Sequence, residues 1–330
     1  MYSAGILGVG CYVPEQVLTN RDLEEMVDTN DEWIVSRSGI RERRIAAPEE
    51  ATSDLALQAA RRALGDARLA PEELDLIIVG TDTPDMLFPA TACLVQRGLG
   101  AYRAACFDLE AACSSVIYGL SIARQFIATG TYRHVLVIGS EILSRITDWS
   151  DRSTCVLFGD GAGALVVGRV EEGFGVLSTV LGSDGRAADI LRVPAGGSRL
   201  PASHETVERR LHTLQMNGPE VYKFAVRVVE RACDQALDQA RIPKEDVELF
   251  VPHQANIRII EGAARRFGFP MERVAVNVHR YGNMSMATIP VALQEAREEG
   301  RVHRGDHLLL VAFGAGMTWG AAVVRWSKED

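Results

Sequence analysis

The sequence predicts an α/β protein built from two related halves, and three observations carry that reading. Residues 63–78, ALGDARLAPEELDLII, match residues 236–251, ALDQARIPKEDVELFV, without a gap; Ala63, Leu64, Ala67, Arg68, Glu72 and Leu76 recur identically 173 positions on. A second pair, His134-Val-Leu-Val-Ile and His307-Leu-Leu-Leu-Val, keeps the same spacing, and two distant matches in one register imply a duplication. The apolar runs Leu76–Val79, Val135–Ile138, Leu249–Val251 and Leu308–Val311 lack polar alternation, as strands covered on both faces do. With 330 residues the chain accommodates about two units at ~100–200 residues each. We divide it into residues 1–172 and 173–330, with a loop-rich insertion over about 182–217 marked by Pro194, Gly196, Gly197 and Pro201.

Taken in order, residues 54–65 read as a helix, 75–80 as a strand, 114–128 as an Ala-rich apolar helix and 134–139 as a strand, and the succession returns in the second half. The segments Phe158-Gly-Asp-Gly-Ala-Gly and Phe313-Gly-Ala-Gly precede further apolar runs and read as turns between core strands. Val274-Ala-Val-Asn-Val reads as one more strand.

Hydrophobic residues at 47% and charged residues at 24% place the chain among soluble folded proteins. A net charge of −9, with acids spread along the chain, disfavours indiscriminate nucleic-acid binding. The six cysteines, at 11, 93, 106, 113, 155 and 233, contain no C-x-x-C, so neither a disulfide framework nor a zinc site is expected and a reducing compartment fits. The N-terminus lacks the regions of a signal peptide, and charged residues interrupt every apolar run before ~18 residues. A cytoplasmic protein without a membrane span is expected.

Three residues stand at predicted strand ends, where α/β folds place ligand sites. Cys113 lies between the strand-like run from Ala105 and the helix that follows; at a helix N-terminus, unpaired amides and the dipole favour a thiolate, whereas a buried inert cysteine is the bland alternative. His253 follows Glu248-Leu-Phe-Val-Pro and precedes a helix near Asn256, with a structural histidine as its alternative. Asn283, in Tyr281-Gly-Asn-Met-Ser-Met, is in isolation a turn former or N-cap. Together they supply a nucleophile and two donors that a pseudo-two-fold arrangement would bring together.

The constellation, with Asn30-Asp-Glu-Trp-Ile-Val-Ser-Arg-Ser-Gly-Ile-Arg-Glu-Arg, Phe88-Pro-Ala-Thr-Ala-Cys, Phe158-Gly-Asp-Gly-Ala-Gly-Ala, Pro252-His-Gln-Ala-Asn and Gly314-Ala-Gly-Met-Thr-Trp-Gly, closely resembles the β-ketoacyl-[acyl carrier protein] synthase III family of the thiolase superfamily across essentially the whole chain. The resemblance implies a duplicated five-layer α/β/α/β/α fold, a homodimer, and condensation of an acyl-CoA starter with malonyl-[acyl carrier protein], which initiates fatty acid synthesis. It implies no cofactor, acyl-CoA being a substrate. It makes Cys113 the acyl acceptor, His253 and Asn283 the pair acting on the malonyl thioester, and the Cys113 and Gly316 N–H groups an oxyanion hole. Trp33 and Arg152 match residues that hold the adenine of coenzyme A, Arg37 one near its phosphates, and Phe88 one that limits the partner's acyl pocket; without the match, Phe88 is simply a core aromatic. Arg258, Arg265 and Arg266, on the helix after His253, form a basic cluster suited to an acidic carrier protein, with a solvated helix face as the alternative.

Met284, Met286, Ala315 and Met317 depart from the small residues, glycine and aromatic usual in the family, which leaves the starter acyl group open. A degradative thiolase would need a second cysteine near Gly314, and no cysteine follows Cys233. A chain-elongating synthase would carry histidine in place of Asn283. Hydroxymethylglutaryl-CoA synthase would need a glutamate that neither Asp82 nor Asp85 matches. An acyltransferase or ketosynthase of secondary metabolism is the remaining alternative, and a non-catalytic scaffold would need none of the three site residues.

Overall fold

The computed structural model describes residues 1–329. The chain opens with β1 (Ser3–Tyr12), β2 (Gln16–Thr19), α1 (Asn20–Glu24), α2 (Asp31–Ser38) and β3 (Glu42–Ile45), the short strands β2 and β3 pairing with each other. It continues through α3 (Thr52–Ala67), β4 (Leu76–Gly80), α4 (Thr91–Leu99), β5 (Ala105–Leu109), α5 (Ser115–Ala128), β6 (His134–Ile142) and β7 (Asp160–Val170). Next come β8 (Gly175–Ser183), β9 (Leu191–Arg192), α6 (His204–Glu208), β10 (Gln215–Met216), α7 (Gly218–Ala240) and β11 (Val247–Pro252). The last elements are α8 (Ile257–Phe267), α9 (Val278–Tyr281), α10 (Thr288–Glu298), β12 (His307–Gly314) and β13 (Thr318–Arg325).

Two mixed sheets result, ordered β1-β7-β6-β4-β5 and β11-β12-β13-β8. Their central strands are largely apolar because each sheet is covered twice, with polar residues such as Ser140 and Glu141 of β6 near the strand ends. In β4, Leu76 and Ile78 face a core shared with α5 and α10, while Ile77 and Val79 pack on α3. In β12, Leu308 and Leu310 face the shared core, while Leu309 and Val311 meet α7 and α8. The middle layer is therefore α5 with α10, the outer layers are α3 with α4 and α7 with α8, and the five-layer order is complete. On α5, Val116, Leu120, Ala123 and Ile127 recur at i, i+4, i+7 and i+11 and, with Ile117, form one apolar face in the shared core, while Gln125 reaches solvent.

The repeat extends to the backbone. Arg68 and Arg241, 173 positions apart, end α3 and α7 in the left-handed conformation at φ of 53° and 57°. Ala112 and Ser285 share that spacing and have φ of 46° and 49°, just ahead of α5 and α10.

Three local expectations need correction. The segment Asp160-Gly-Ala-Gly is not a turn but the start of β7; its glycines admit neighbours, since a Cβ on Gly161 would meet Met284 Sδ at 2.5 Å and one on Gly163 would meet Pro290 Cβ at 2.5 Å. Val274–Val278 is not a strand, because only Val274 bridges to Phe250 of β11 and the chain then turns into α9. The loop-rich stretch after β8 is better organised than its composition indicates, with a 3-10 segment at Gly185–Ile190, the β9–β10 pair and α6.

Candidate active site

Cys113 sits in a 3-10 turn, Ala112–Ser114, immediately before α5. His253 follows the last residue of β11, with its N–H donating to the Val311 carbonyl of β12 at 2.8 Å. Asn283 is held by a backbone bridge to Phe158, its N–H donating to the Leu157 carbonyl at 2.8 Å. The three side chains, one just ahead of α5, one just after β11 and one ahead of α10, line one cavity of about 970 Å³. Trp33, Arg37 and Arg258 line it as well.

Local bonding orients these groups. The Ser285 N–H donates to Asn283 Oδ1 at 2.8 Å, so the turn-forming role expected of Asn283 is present and occupies only the oxygen, leaving the Nδ2 donors for the cavity. The Ser285 hydroxyl donates to Cys113 Sγ at 3.2 Å. His253 Nδ1 lies 2.6 Å from Thr288 Oγ1, and the ring meets Phe313 edge-on with centroids 5.6 Å apart. Burial pushes His253 down to about 3, so its imidazole is neutral at physiological pH.

Cys113 differs from the expectation of a favoured thiolate. Burial, then the nearby Asp82 carboxylate, pushes its thiol up to about 12, outweighing the Ser285 hydroxyl and backbone amide that pull the other way. The helix N-terminus is present, but the resting group is a thiol.

The C-terminal loop closes directly on this turn. A Cβ placed on Gly314 would fall 2.5 Å from Cys113 N and 2.8 Å from Ala112 Cβ, and Gly316 adopts φ of 116° between the cavity-lining residues Ala315 and Met317. Gly314→Ala is therefore expected to destabilise the fold by about 1–3 kcal/mol through overpacking and to suppress acyl-adduct formation by displacing the Cys113 amide. Thermal melting and mass spectrometry of the acyl adduct check it; undiminished adduct formation would count against that amide as an oxyanion donor.

The other expected residues fall into two groups. Arg152 Cζ lies 4.6 Å from the centre of the Trp33 ring, while its Nη1 donates to the Asp28 carbonyl at 2.6 Å. These planes touch, so a base inserted between them needs the pair to open to about 7 Å, two contacts of ~3.5 Å. Arg37 and Arg258 are exposed at the cavity mouth. Arg265 and Arg266 lie about two turns beyond Arg258 along α8, outside the lining, and Arg266 is engaged with Glu230 of α7 at 2.5 Å. Phe88 is 83% exposed, which removes the core-aromatic alternative. Met284 and Met286 are buried under the first sheet beside Gly161, Gly80 and Gly139 and do not line the cavity; Ala315 and Met317 do.

The sequence reading missed Ser285, Thr288, Glu110 and Glu141, and passed over Asp82. The strand-end rule that singled out His253 was available for Asp82, which follows β4, the counterpart of β11. Ser285 and Thr288 carried no comparable signal, because isolated hydroxyls near a helix start read as caps.

A duplicated five-layer fold with a cysteine, a histidine and an asparagine converging in one cavity defines a thiolase-fold enzyme. Residues 107–185 match the model for 3-oxoacyl-[acyl-carrier-protein] synthase III, and residues 237–326 match that for its C-terminal region. The chain is 58% identical over 326 residues to the β-ketoacyl-[acyl-carrier-protein] synthase III of Caldanaerobacter subterraneus subsp. tengcongensis, covering 99% of this chain and 98% of the relative. It is 60% identical over 329 residues to that of Desulfitobacterium hafniense strain DCB-2, covering 100% and 99%. The solved synthase III of Thermus thermophilus superposes with a TM-score of 0.92 at 53% identity, covering 98% of this chain and 99% of that one. The chain belongs to the β-ketoacyl-[acyl-carrier-protein] synthase III family.

Proposed function

We propose that this protein condenses an acyl-CoA starter, acetyl-CoA in the first instance, with malonyl-[acyl carrier protein], releasing coenzyme A and carbon dioxide and giving a 3-ketoacyl-[acyl carrier protein]. The observation that carries the proposal is the convergence of Cys113, His253 and Asn283 in one cavity of a chain that belongs to this family. Cys113 Sγ attacks the acyl thioester, and the Cys113 and Gly316 N–H groups hold the tetrahedral oxyanion. Coenzyme A leaves, and malonyl-[acyl carrier protein] enters.

Loss of carbon dioxide places charge on the thioester oxygen, which calls for donors rather than a strong base. Asn283 Nδ2 and His253 Nε2–H supply them; at rest the Thr288 hydroxyl donates to the Ser285 carbonyl at 2.8 Å, and Nε2 carries the proton when that hydroxyl turns to donate to Nδ1. A neutral imidazole suits this role, because it donates without consuming the developing carbanion. That carbanion attacks the acyl-Cys113 carbonyl and expels the Cys113 thiolate, which takes up a proton from solvent to restore the thiol. Trp33, Arg152 and Arg37 hold the nucleotide of coenzyme A, and no cofactor is required. Incubation with acetyl-CoA followed by peptide mass mapping tests the proposal: an acetyl group on Cys113 supports it, and an unmodified Cys113 in native protein overturns it.

The same reading includes a cytoplasmic homodimer divided internally near residue 172. β5 is an edge strand, and the neighbouring Leu87 and Phe88 are each 83% exposed, so an uncovered strand edge stands beside an apolar loop that a second copy would bury. Among the described residues no helix is long and apolar enough to cross a membrane.

The carrier protein is expected to dock over the exposed Arg258 and Arg265 of α8. Arg258→Glu with Arg265→Glu is expected to raise the KM for malonyl-[acyl carrier protein] by about tenfold or more and that for acyl-CoA much less, since charge reversal replaces steering by repulsion. The effect shrinks with salt as the Debye length falls from about 10 Å at 0.1 M to about 3 Å at 1 M. An unchanged carrier KM at low ionic strength would reduce the cluster to a solvated face.

A further inference from the structure

Beside Cys113 stands a group of buried carboxyls that the condensation chemistry above does not use. Asp82, at the end of β4, lies against Ser285, Glu110 and Glu141, and lines the cavity with Cys113, Glu110 and Ser285. Its N–H donates to Glu141 Oε1 at 2.9 Å, and the Thr83 hydroxyl donates to Glu141 Oε2, so the loop after β4 is pinned to β6. Asp82 Oδ1 is buried without a hydrogen-bond partner. A buried, unpartnered carboxyl oxygen forfeits its hydration without a replacement, so its retention beside a reactive thiol calls for a reason. Ser285, between the two, holds its backbone at φ of 49°, an uncommon conformation for a residue with a Cβ, and that geometry directs its hydroxyl onto Cys113 Sγ at 3.2 Å.

We propose that Asp82 is a positioning residue that holds the Cys113 proton during acyl transfer, reached through the Ser285 hydroxyl. As Cys113 Sγ bonds the acyl carbon, its S–H bond breaks and the proton passes to Ser285 Oγ, while the Ser285 hydroxyl, which donates to Sγ at rest, turns to Asp82 and gives its own proton to that carboxylate. Collapse of the tetrahedral adduct breaks the carbon–sulfur bond to coenzyme A, and the reverse shuttle protonates the departing thiolate, so no proton is gained or lost overall. The inference rests on Cys113 being the acyl acceptor.

The surroundings suit Asp82 to this task. Burial, then the charge of Glu110, raises it above the ordinary carboxylate range and makes it a stronger base. Glu141 is raised as well, by burial and by Asp82 itself, so the group shares protons among like charges. The titratable groups facing Asp82 are Glu110, Glu141 and Cys113, and the neutral His253 lines the same cavity. Since only ionised Asp82 accepts a proton, acyl transfer rises with pH through its titration.

The experiment compares wild type, Asp82→Asn and Ser285→Ala in single-turnover acetyl transfer from acetyl-CoA across pH, and in alkylation of Cys113 by iodoacetamide. The relay predicts that Asp82→Asn transfers acetyl roughly 100-fold more slowly at neutral pH and loses the rise with pH. Alkylation is expected to be unchanged or faster, because a negative neighbour of the thiol is gone; a merely structural role would slow both. Acetyl transfer in Asp82→Asn as fast as in wild type, or faster, overturns the relay and leaves Asp82 as a charge that burdens the thiol. Should Asp82→Asn fail to fold, Ser285→Ala carries the test: slow transfer with retained alkylation supports the relay, and full transfer overturns it. Wild type that gains no acetyl on Cys113 removes the underlying function and the relay with it, whereas acetylated wild type with an unimpaired Asp82→Asn removes the relay alone.

Discussion

Cys113→Ala is expected to form no acyl adduct and to lose condensation by on the order of 10⁴-fold or more, as removal of a nucleophile does. The neighbouring hydroxyls offer no substitute. Ser114 Oγ donates to the Ala111 carbonyl at 2.7 Å and sits 2.8 Å from Thr318 Oγ1, while Ser115 Oγ accepts the Ala111 N–H at 2.9 Å; both side chains are buried and committed to holding the turn. Stability changes little, because the substitution removes one sulfur and one weak acceptor for the Ser285 hydroxyl, worth about 1 kcal/mol. Peptide mass mapping together with a thermal melt checks both parts. Normal turnover with the acyl group on another residue would sink the assignment of Cys113.

Asn283→Ala is expected to separate the two half-reactions. Carbon dioxide release from malonyl-[acyl carrier protein] falls by about 10²–10³-fold, the usual cost of one oxyanion donor, while acetylation of Cys113 stays within several-fold of wild type. The asymmetry follows from the proposed division of donors, in which acylation relies on backbone amides and the enolate on Asn283 and His253. The small loss in acylation has its own cause: the Ser285 N–H loses its acceptor, Asn283 Oδ1, and the hydroxyl resting on Cys113 is held less firmly. Single-turnover acetylation measured against carbon dioxide release distinguishes the steps, and equal losses in both would count against these roles.

Much of the architecture was legible because its causes are local. The matched segments from Ala63 and Ala236 became corresponding helix ends, with Arg68 and Arg241 both left-handed, and the apolar runs became strands buried on both faces. Asp160-Gly-Ala-Gly misled because glycine marks both turns and close approaches; only the packing of Met284 and Pro290 onto β7 shows which applies. Val274–Val278 misled because β-branched residues favour extended backbone whether or not a partner strand runs beside them.

By itself, then, the amino-acid sequence determined the duplication, the covered sheets and the strand-end positions of Cys113 and His253, all of which depend on periodicity and backbone chemistry within a few residues; Asn283 follows the short helix α9 rather than the strand expected before it. The tertiary structure alone decided how those groups are charged and restrained. Burial keeps His253 neutral and, with Asp82 from the end of another strand, keeps Cys113 a thiol. Folding also stacked Arg152 on Trp33, left Phe88 in the open and turned the Ser285 hydroxyl onto the sulfur. Ionisation follows the local dielectric and the nearest charges, and in this fold those are supplied by elements tens to hundreds of residues apart, where no local pattern reaches.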